Sequence, residues 1–165
     1  SFPTRRSSDL IDLIPRGGTP LLDAVGKTIA RIEEKIKGRD VQPVLMVITD
    51  GAENCSTEWK KEQIKKSIEE KKDWQIMYLA ANVDAFDENN RIGTSVDKTM
   101  NFANTSKGTA AIYDVSMSKM RGMRTAYATG CSINEALFAG SYTPEDRAAA
   151  SDGDEKIANT WKDKK

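Results

Sequence analysis

Two short apolar runs with an amphipathic stretch between them limit the folds open to this chain. Val44-Leu45-Met46-Val47-Ile48-Thr49 follows Pro43 without a polar break until Asp50-Gly51, and Trp74-Gln75-Ile76-Met77-Tyr78-Leu79-Ala80 is the second run. An uninterrupted run with β-branched members suits a strand covered on both faces, because neither side of its pleat meets water. The intervening stretch, from about Thr57 to Asp73, is highly charged yet places Ile64 and Ile68 on one helical face, with Glu62 and Lys66 forming a favourable surface pair. Strand, helix, strand implies parallel strands and a right-handed crossover. Upstream, Leu21, Leu22, Val25, Ile29, Ile32 and Ile36 recur in steps of three and four, the stripe of one helix. That helix is expected over about 20–37, with Thr19 before it as a cap, Pro20 at its first position and Gly38 as its stop.

The pattern weakens downstream. A short helix is expected from Ala85 to Arg91 ending at Gly93, an edge strand from Thr99 to Phe102, and a helix from about Gly108 to Arg124. Beyond Gly130 only Ile133, Leu137, Phe138, Ile157 and Trp161 are large and apolar, so residues 131–165 are expected to be a poorly ordered tail. The opening, Ser1 to Leu10, resembles one reading frame of a widely used sequencing adapter and is set aside as a scar. On that reading residues 1–10 are an artefact, the natural chain joins near Ile11, and its upstream part is missing.

Composition removes several kinds of chemistry. The 165 residues include no His, which excludes imidazole-based acid and base pairs, Ser-His-Asp triads and zinc sites that need imidazole. Lys and Arg number 25 against 25 Asp and Glu, so there is no basic excess to hold a phosphate backbone, and nucleic acid is not an expected partner. Cys55 and Cys131 form no CxxC pair, which fits a reducing, cytoplasmic setting. No apolar run is long enough to span a membrane.

In an open parallel sheet, ligands bind beyond the carboxyl ends of the strands. Asp50 ends the first apolar run, Gly51 lets backbone approach a ligand, and Glu53 and Asn54 offer further oxygens on the same turn. The loop Arg16-Gly17-Gly18-Thr19-Pro20 enters a helix N-terminus, where a hydroxyl and free N–H groups gather. Carboxylate plus hydroxyl is hard-oxygen chemistry suited to Mg²⁺ or Mn²⁺. Capping alone also explains Thr19, a common turn also explains Asp50-Gly51, and Asn54 and Ser56 are suited to cap the next helix. Cys55 reads as a small filler; Lys107, Lys119, Arg121 and Arg124 read as a solvated face; Trp59 and Trp74 read as packing residues.

The string Gly17-Gly18-Thr19-Pro20-Leu21-Leu22-Asp23-Ala24-Val25, followed by Val44-Leu45-Met46-Val47-Ile48-Thr49-Asp50-Gly51-Ala52-Glu53-Asn54, resembles the second half of a von Willebrand factor type A domain. Leu79-Ala80-Ala81-Asn82-Val83-Asp84-Ala85-Phe86 resembles a bacterial and phage intracellular branch of that family. The resemblance covers about 11–125. It implies an α/β, doubly wound, Rossmann-like domain with a mostly parallel sheet, occupying 11–130 and lacking its first strand or strands. It also implies a metal-ion-dependent adhesion site with Thr19 and Asp50 as ligands of Mg²⁺ or Mn²⁺ and Gly18, Gly51, Glu53 and Asn54 as their surroundings. The family's Asp-x-Ser-x-Ser string, source of its principal ligands, does not stand upstream of Thr19 in this sequence.

The expected function is therefore a binding module in which a partner protein's Asp or Glu completes the metal shell, without catalysis. A metal-free interaction domain of the same fold is the first alternative. The second is a Mg²⁺-dependent phosphoryl-transfer or hydrolase domain using Asp50, with the Gly-Gly-Thr loop cradling an anion. With so few strands, an apolar edge and a poorly covered face are expected, and with them marginal folding or aggregation.

Overall fold

The computed structural model describes residues 17–82 and 84–164. The adapter-like opening, residues 11–16 with Arg16, and Val83 lie outside the described residues. The elements run α1 (Leu21–Ile36), β1 (Val44–Thr49), α2 (Lys61–Glu70), β2 (Gln75–Ala80), α3 (Ala85–Ile92), β3 (Thr99–Asn101), α4 (Ser106–Ala128), α5 (Ile133–Ala139), α6 (Pro144–Ala150) and α7 (Glu155–Asn159). This is a mixed α/β architecture around a small open sheet of three strands in the order β1-β2-β3, all parallel. Val44 pairs with Gln75 and Thr49 with Ala80 across the first pair; Tyr78 pairs with Thr99 across the second.

Alternation along the strands divides the core into two layers. Leu45 and Val47 join Ile76, Tyr78 and Ala80 beneath Leu21, Val25 and Ile29 of α1, Ile64 and Ile68 of α2, and Ala85 and Ile92 of α3. Met77, Leu79 and Met100 face the other way onto Phe102, Ile112 of α4, Tyr142 and Ala150, with Val44 and Met46 partly buried against them. Helices thus cover both faces of the sheet, as an apolar parallel sheet requires. Among the described residues no helix is long and apolar enough to cross a membrane.

Several expected boundaries move, each for a local physical reason. The helix expected over Thr57–Asp73 begins only at Lys61, because the N–H groups of Thr57, Glu58 and Trp59 donate to the carboxylate of Asp23 at 3.0, 3.0 and 2.8 Å. The helix expected from Gly108 starts at Ser106, with the Thr105 hydroxyl accepting from Gly108 N at 3.0 Å, and runs on to Ala128.

The larger correction concerns 131–165. The expected poorly ordered tail instead forms α5, α6 and α7 and contributes buried Ala136, Tyr142, Arg147, Ala150 and Ser151. Ser132 and Thr143 each accept from the N–H three residues on, while Glu135 and Asp146 accept the return bonds, so both helices start with reciprocal caps. Arg147 donates to the carbonyls of Thr99 and Val96 and lies over the rings of Phe86 and Trp161 at 5.4 and 5.5 Å. These contacts, with α4, cover the face expected to be bare.

Candidate functional site

Thr19 enters α1 and Asp50 leaves β1, and the two line one cavity of about 490 Å³ at the carboxyl end of the sheet. Pro20, Leu21, Ala24 and Ile48 give the cavity an apolar side; Phe102, Asn104 and Thr109, from the end of β3 and the start of α4, close it. A Cβ placed on Gly51 would sit 3.4 Å from Thr19 Oγ1, so the hydroxyl lies against the Asp50-Gly51 turn. Local bonding holds that turn: Thr49 Oγ1 donates to Gly51 O at 2.8 Å, and Asn82 Nδ2 reaches Asp50 O at 3.4 Å. Asn82 adopts φ 59°, a left-handed conformation that Asn tolerates better than most residues.

The sequence reading left Thr19 between cap and ligand, and the bonding separates the two roles. Among the described residues, no side chain on the flank of α1, Thr19 included, makes a capping bond to its N-terminus. Its N–H groups are met from the loop after β1 instead, Leu22 N donating to Glu53 Oε2 at 2.8 Å and Asp23 N to Ser56 Oγ at 3.1 Å. The Thr19 hydroxyl and the exposed Asp50 carboxylate therefore face the cavity region without a hydrogen-bond partner among the described residues.

Glu53 and Asn54 take supporting roles. Asn54 Oδ1 accepts from Thr19 N at 2.8 Å while Asn54 N donates to Thr19 O at 3.3 Å, clamping the two loops together. Glu53 also accepts from Cys55 N at 2.9 Å, Ser56 N at 2.7 Å and Ser56 Oγ at 2.7 Å, so both of its oxygens are occupied. Burial alone would raise the Glu53 carboxyl, but the Ser56 hydroxyl and the N–H groups of Ser56, Leu22 and Cys55 outweigh it and hold it below its ordinary value. The capping of the next helix expected of Asn54 and Ser56 is not what they do; they serve α1. Gly18 gives Cys55 its place, since a Cβ there would stand 2.5 Å from Cys55 Sγ.

The donor set fits a weakly held hard cation. A hydroxyl and a carboxylate with free lone pairs, on a cavity open to water, match Mg²⁺, which keeps several waters and takes only one or two protein carboxylates. Among the described residues there is no group of three or more His, Cys, Asp or Glu that would hold a metal by itself. Of the residues read as a solvated face, Lys107 pairs with Asp152 at 2.8 Å and Lys119 with Asp146 at 2.6 Å. Asn104, Phe102 and Thr109 were missed in the sequence, although the strand-end rule applied to the third strand points to the same edge. A comparison of the chain with protein-family models, curated proteins and solved structures finds no match.

Proposed function

We infer that this chain is part of a von Willebrand factor type A-like domain and works as a protein-binding module, with Thr19 and Asp50 holding Mg²⁺ or Mn²⁺ and a partner's Asp or Glu completing the contact. The observation that carries this reading is the Thr19 hydroxyl, which is free of the capping duty that would otherwise explain it and lies beside Asp50 on one cavity. When bound, the metal supplies a Lewis-acidic centre whose waters a carboxylate can replace. The chain itself presents the hydroxyl and carboxylate in a fixed relation, because Asn54 clamps the Thr19 loop and Glu53 pins the α1 N-terminus to the loop after β1. The reading assigns no bond-breaking step, and the exposed free cysteines Cys55 and Cys131 suit a cytoplasmic setting.

The test uses Mn²⁺ as a paramagnetic probe of the 165-residue chain. Mn²⁺ should broaden the amide signals of Thr19 and Gly51 first, chelator should restore them, and Asp50→Asn should abolish the effect. A folded chain in which Mn²⁺ leaves these signals untouched sinks the metal-dependent reading. The metal-free interaction domain would then stand, a reading supported by the small number of donors that the described residues bring together.

A further inference from the structure

The long helix α4 carries two stripes, and the fold uses one of them. Ile112, Ser116 and Met123 are buried. Tyr113, Met117 and Arg124 stand one residue beyond each of these, hence about 100° further round the helix. With Met120 and Tyr127 they make a second stripe in steps of four, three, four and three, the spacing of a seam against which another helix packs. Tyr113 is 50%, Met117 44% and Tyr127 40% exposed, and Met120 among them is partly buried.

The sheet beneath explains why this seam is left over. Packed helices lie roughly 8–10 Å apart and paired strands about 4.8 Å, so one helix covers two strands. Ile112 packs with Met77 and Leu79 of β2 and Met100 of β3, which sets α4 over those two strands. On the same face of β1, Val44 and Met46 stay partly buried and Ile48 is exposed. Thr109, one turn before Tyr113, lines a cavity with Ile48, so the seam runs along the β1 side of α4. There is room for one more helix, at the usual spacing beside α4 and over β1.

Charge selects the occupant. Arg121 flanks the seam and Arg124 stands in it, both exposed and neither in an ion pair among the described residues, whereas Lys107 and Lys119 of the same helix are paired with Asp152 and Asp146. Asp114 is the one acid in α4. Two copies of α4 laid against each other would set four arginines against two aspartates, and the positive excess disfavours that pairing; an acidic helix has no such excess. Tyrosine, methionine and arginine are also the residues that binding surfaces favour.

We propose that α4 and the neighbouring face of β1 dock an acidic amphipathic helix of a partner protein, its apolar stripe on Tyr113, Met117 and Met120 and its carboxylates on Arg121 and Arg124. This contact uses neither Thr19 nor Asp50, so it stands apart from the metal reading.

The experiment titrates the isotopically labelled 165-residue chain with a capped peptide of three Leu-Ala-Ala-Leu-Glu-Ala-Glu repeats and with the same peptide carrying Lys in place of each Glu. The acidic peptide should shift the amide signals of Tyr113, Met117 and Tyr127, and should bind about tenfold tighter than the lysine version, or about 1.4 kcal/mol. Met117→Glu should abolish the shifts, an unchanged spectrum elsewhere verifying that the variant folds. The double variant Arg121→Glu with Arg124→Glu should reverse the preference to the lysine peptide, which a merely structural role of the arginines would not do. The proposal falls if neither peptide moves the seam, or if both move it equally and the double variant leaves them equal. It falls also if the seam signals follow the concentration of the chain itself and ignore the peptides, for then a second copy occupies this face.

Discussion

Thr19 and Glu53 exchange the roles that their types suggest. A threonine before Pro20 looks like a cap and a glutamate after Asp50-Gly51 looks like a ligand, yet Glu53 caps α1 and Thr19 does not. Thr19→Ala should therefore leave the unfolding midpoint in urea within about 0.5 kcal/mol of the parent, as for a surface change away from any cap. Glu53→Ala should lower stability by about 2 kcal/mol, because it strips partners from Leu22 N, Cys55 N and Ser56 at once. A large loss from Thr19→Ala would return that residue to capping and remove the main support for its role as a ligand. The same carboxylates give a pH dependence with a definite sign. Asp23 is held below its ordinary 3.8 by the N–H of Thr57 above all, against burial, and then by Trp59, Glu58 and Lys27; Glu53 is held below 4.5. Native values below the unfolded ones mean that the unfolded chain binds protons first as pH falls. Stability is therefore full above the ordinary values and is lost as pH drops through the lowered native ones. Denaturant midpoints taken between neutral pH and pH 3 should show this loss, and Glu53→Gln should flatten it.

At the scale of elements, the residue that organises the chain's last third is Arg147, only 4% exposed. Its guanidinium ties α6 to the carbonyls of Thr99 and Val96 and bridges Phe86 of α3 with Trp161 beyond α7. Arg147→Ala should cost about 3 kcal/mol, since it leaves carbonyls unpaired and opens a gap between aromatic rings. Hydrogen exchange should speed up across α6 and α7 before it does in β2; unchanged protection there would show that the segment packs without it. This also explains why the tail was not legible. Periodicity finds α1, β1 and β2 because each displays its own apolar stripe or run, whereas α5 to α7 are held by caps, small alanines and pairs such as Lys119–Asp146. The start of α2 was hidden for a related reason: Asp23, remote in sequence, takes the N–H groups that local propensity assigned to a helix. In the site, strand-end logic pointed to Asp50 and the helix-entry loop to Thr19, while their pairing as ligands came from the family resemblance. The use made of Glu53 depends on the path of the loop in space, which spacing along the chain does not encode.

Over the whole molecule, the two edges of the sheet are treated differently. β3 is covered: Arg147 bonds Thr99 O, Ala103 N donates to Ala150 O at 3.0 Å, and Tyr142 N donates to Asp97 O at 2.8 Å. β1 is open. Gln75 N donates to Pro43 O and Ala81 N to Thr49 O, so the odd-numbered residues of β1 face β2 and the backbone groups of Val44, Met46 and Ile48 point off the free edge. That edge carries no charge, proline or bulge, and Ile48 is 37% exposed at its end. Pairing two copies antiparallel about Met46 places Val44 opposite Ile48 and Leu45 opposite Val47, an apolar match throughout. The coverage of both faces removes one of the two reasons for marginal folding, leaving edge pairing as the expected route to association. Sedimentation velocity across a dilution series should show the 165-residue chain self-associating as concentration rises. Ile48→Lys, which sets an ammonium at the exposed end of the edge, should hold it monomeric with little loss of stability. A parent chain that stays monomeric throughout the series would show that the open edge of β1 is blocked, and a lysine variant that associates as readily would place the contact elsewhere, with the apolar residues Tyr113 and Met117 exposed on α4 as the next surface to alter.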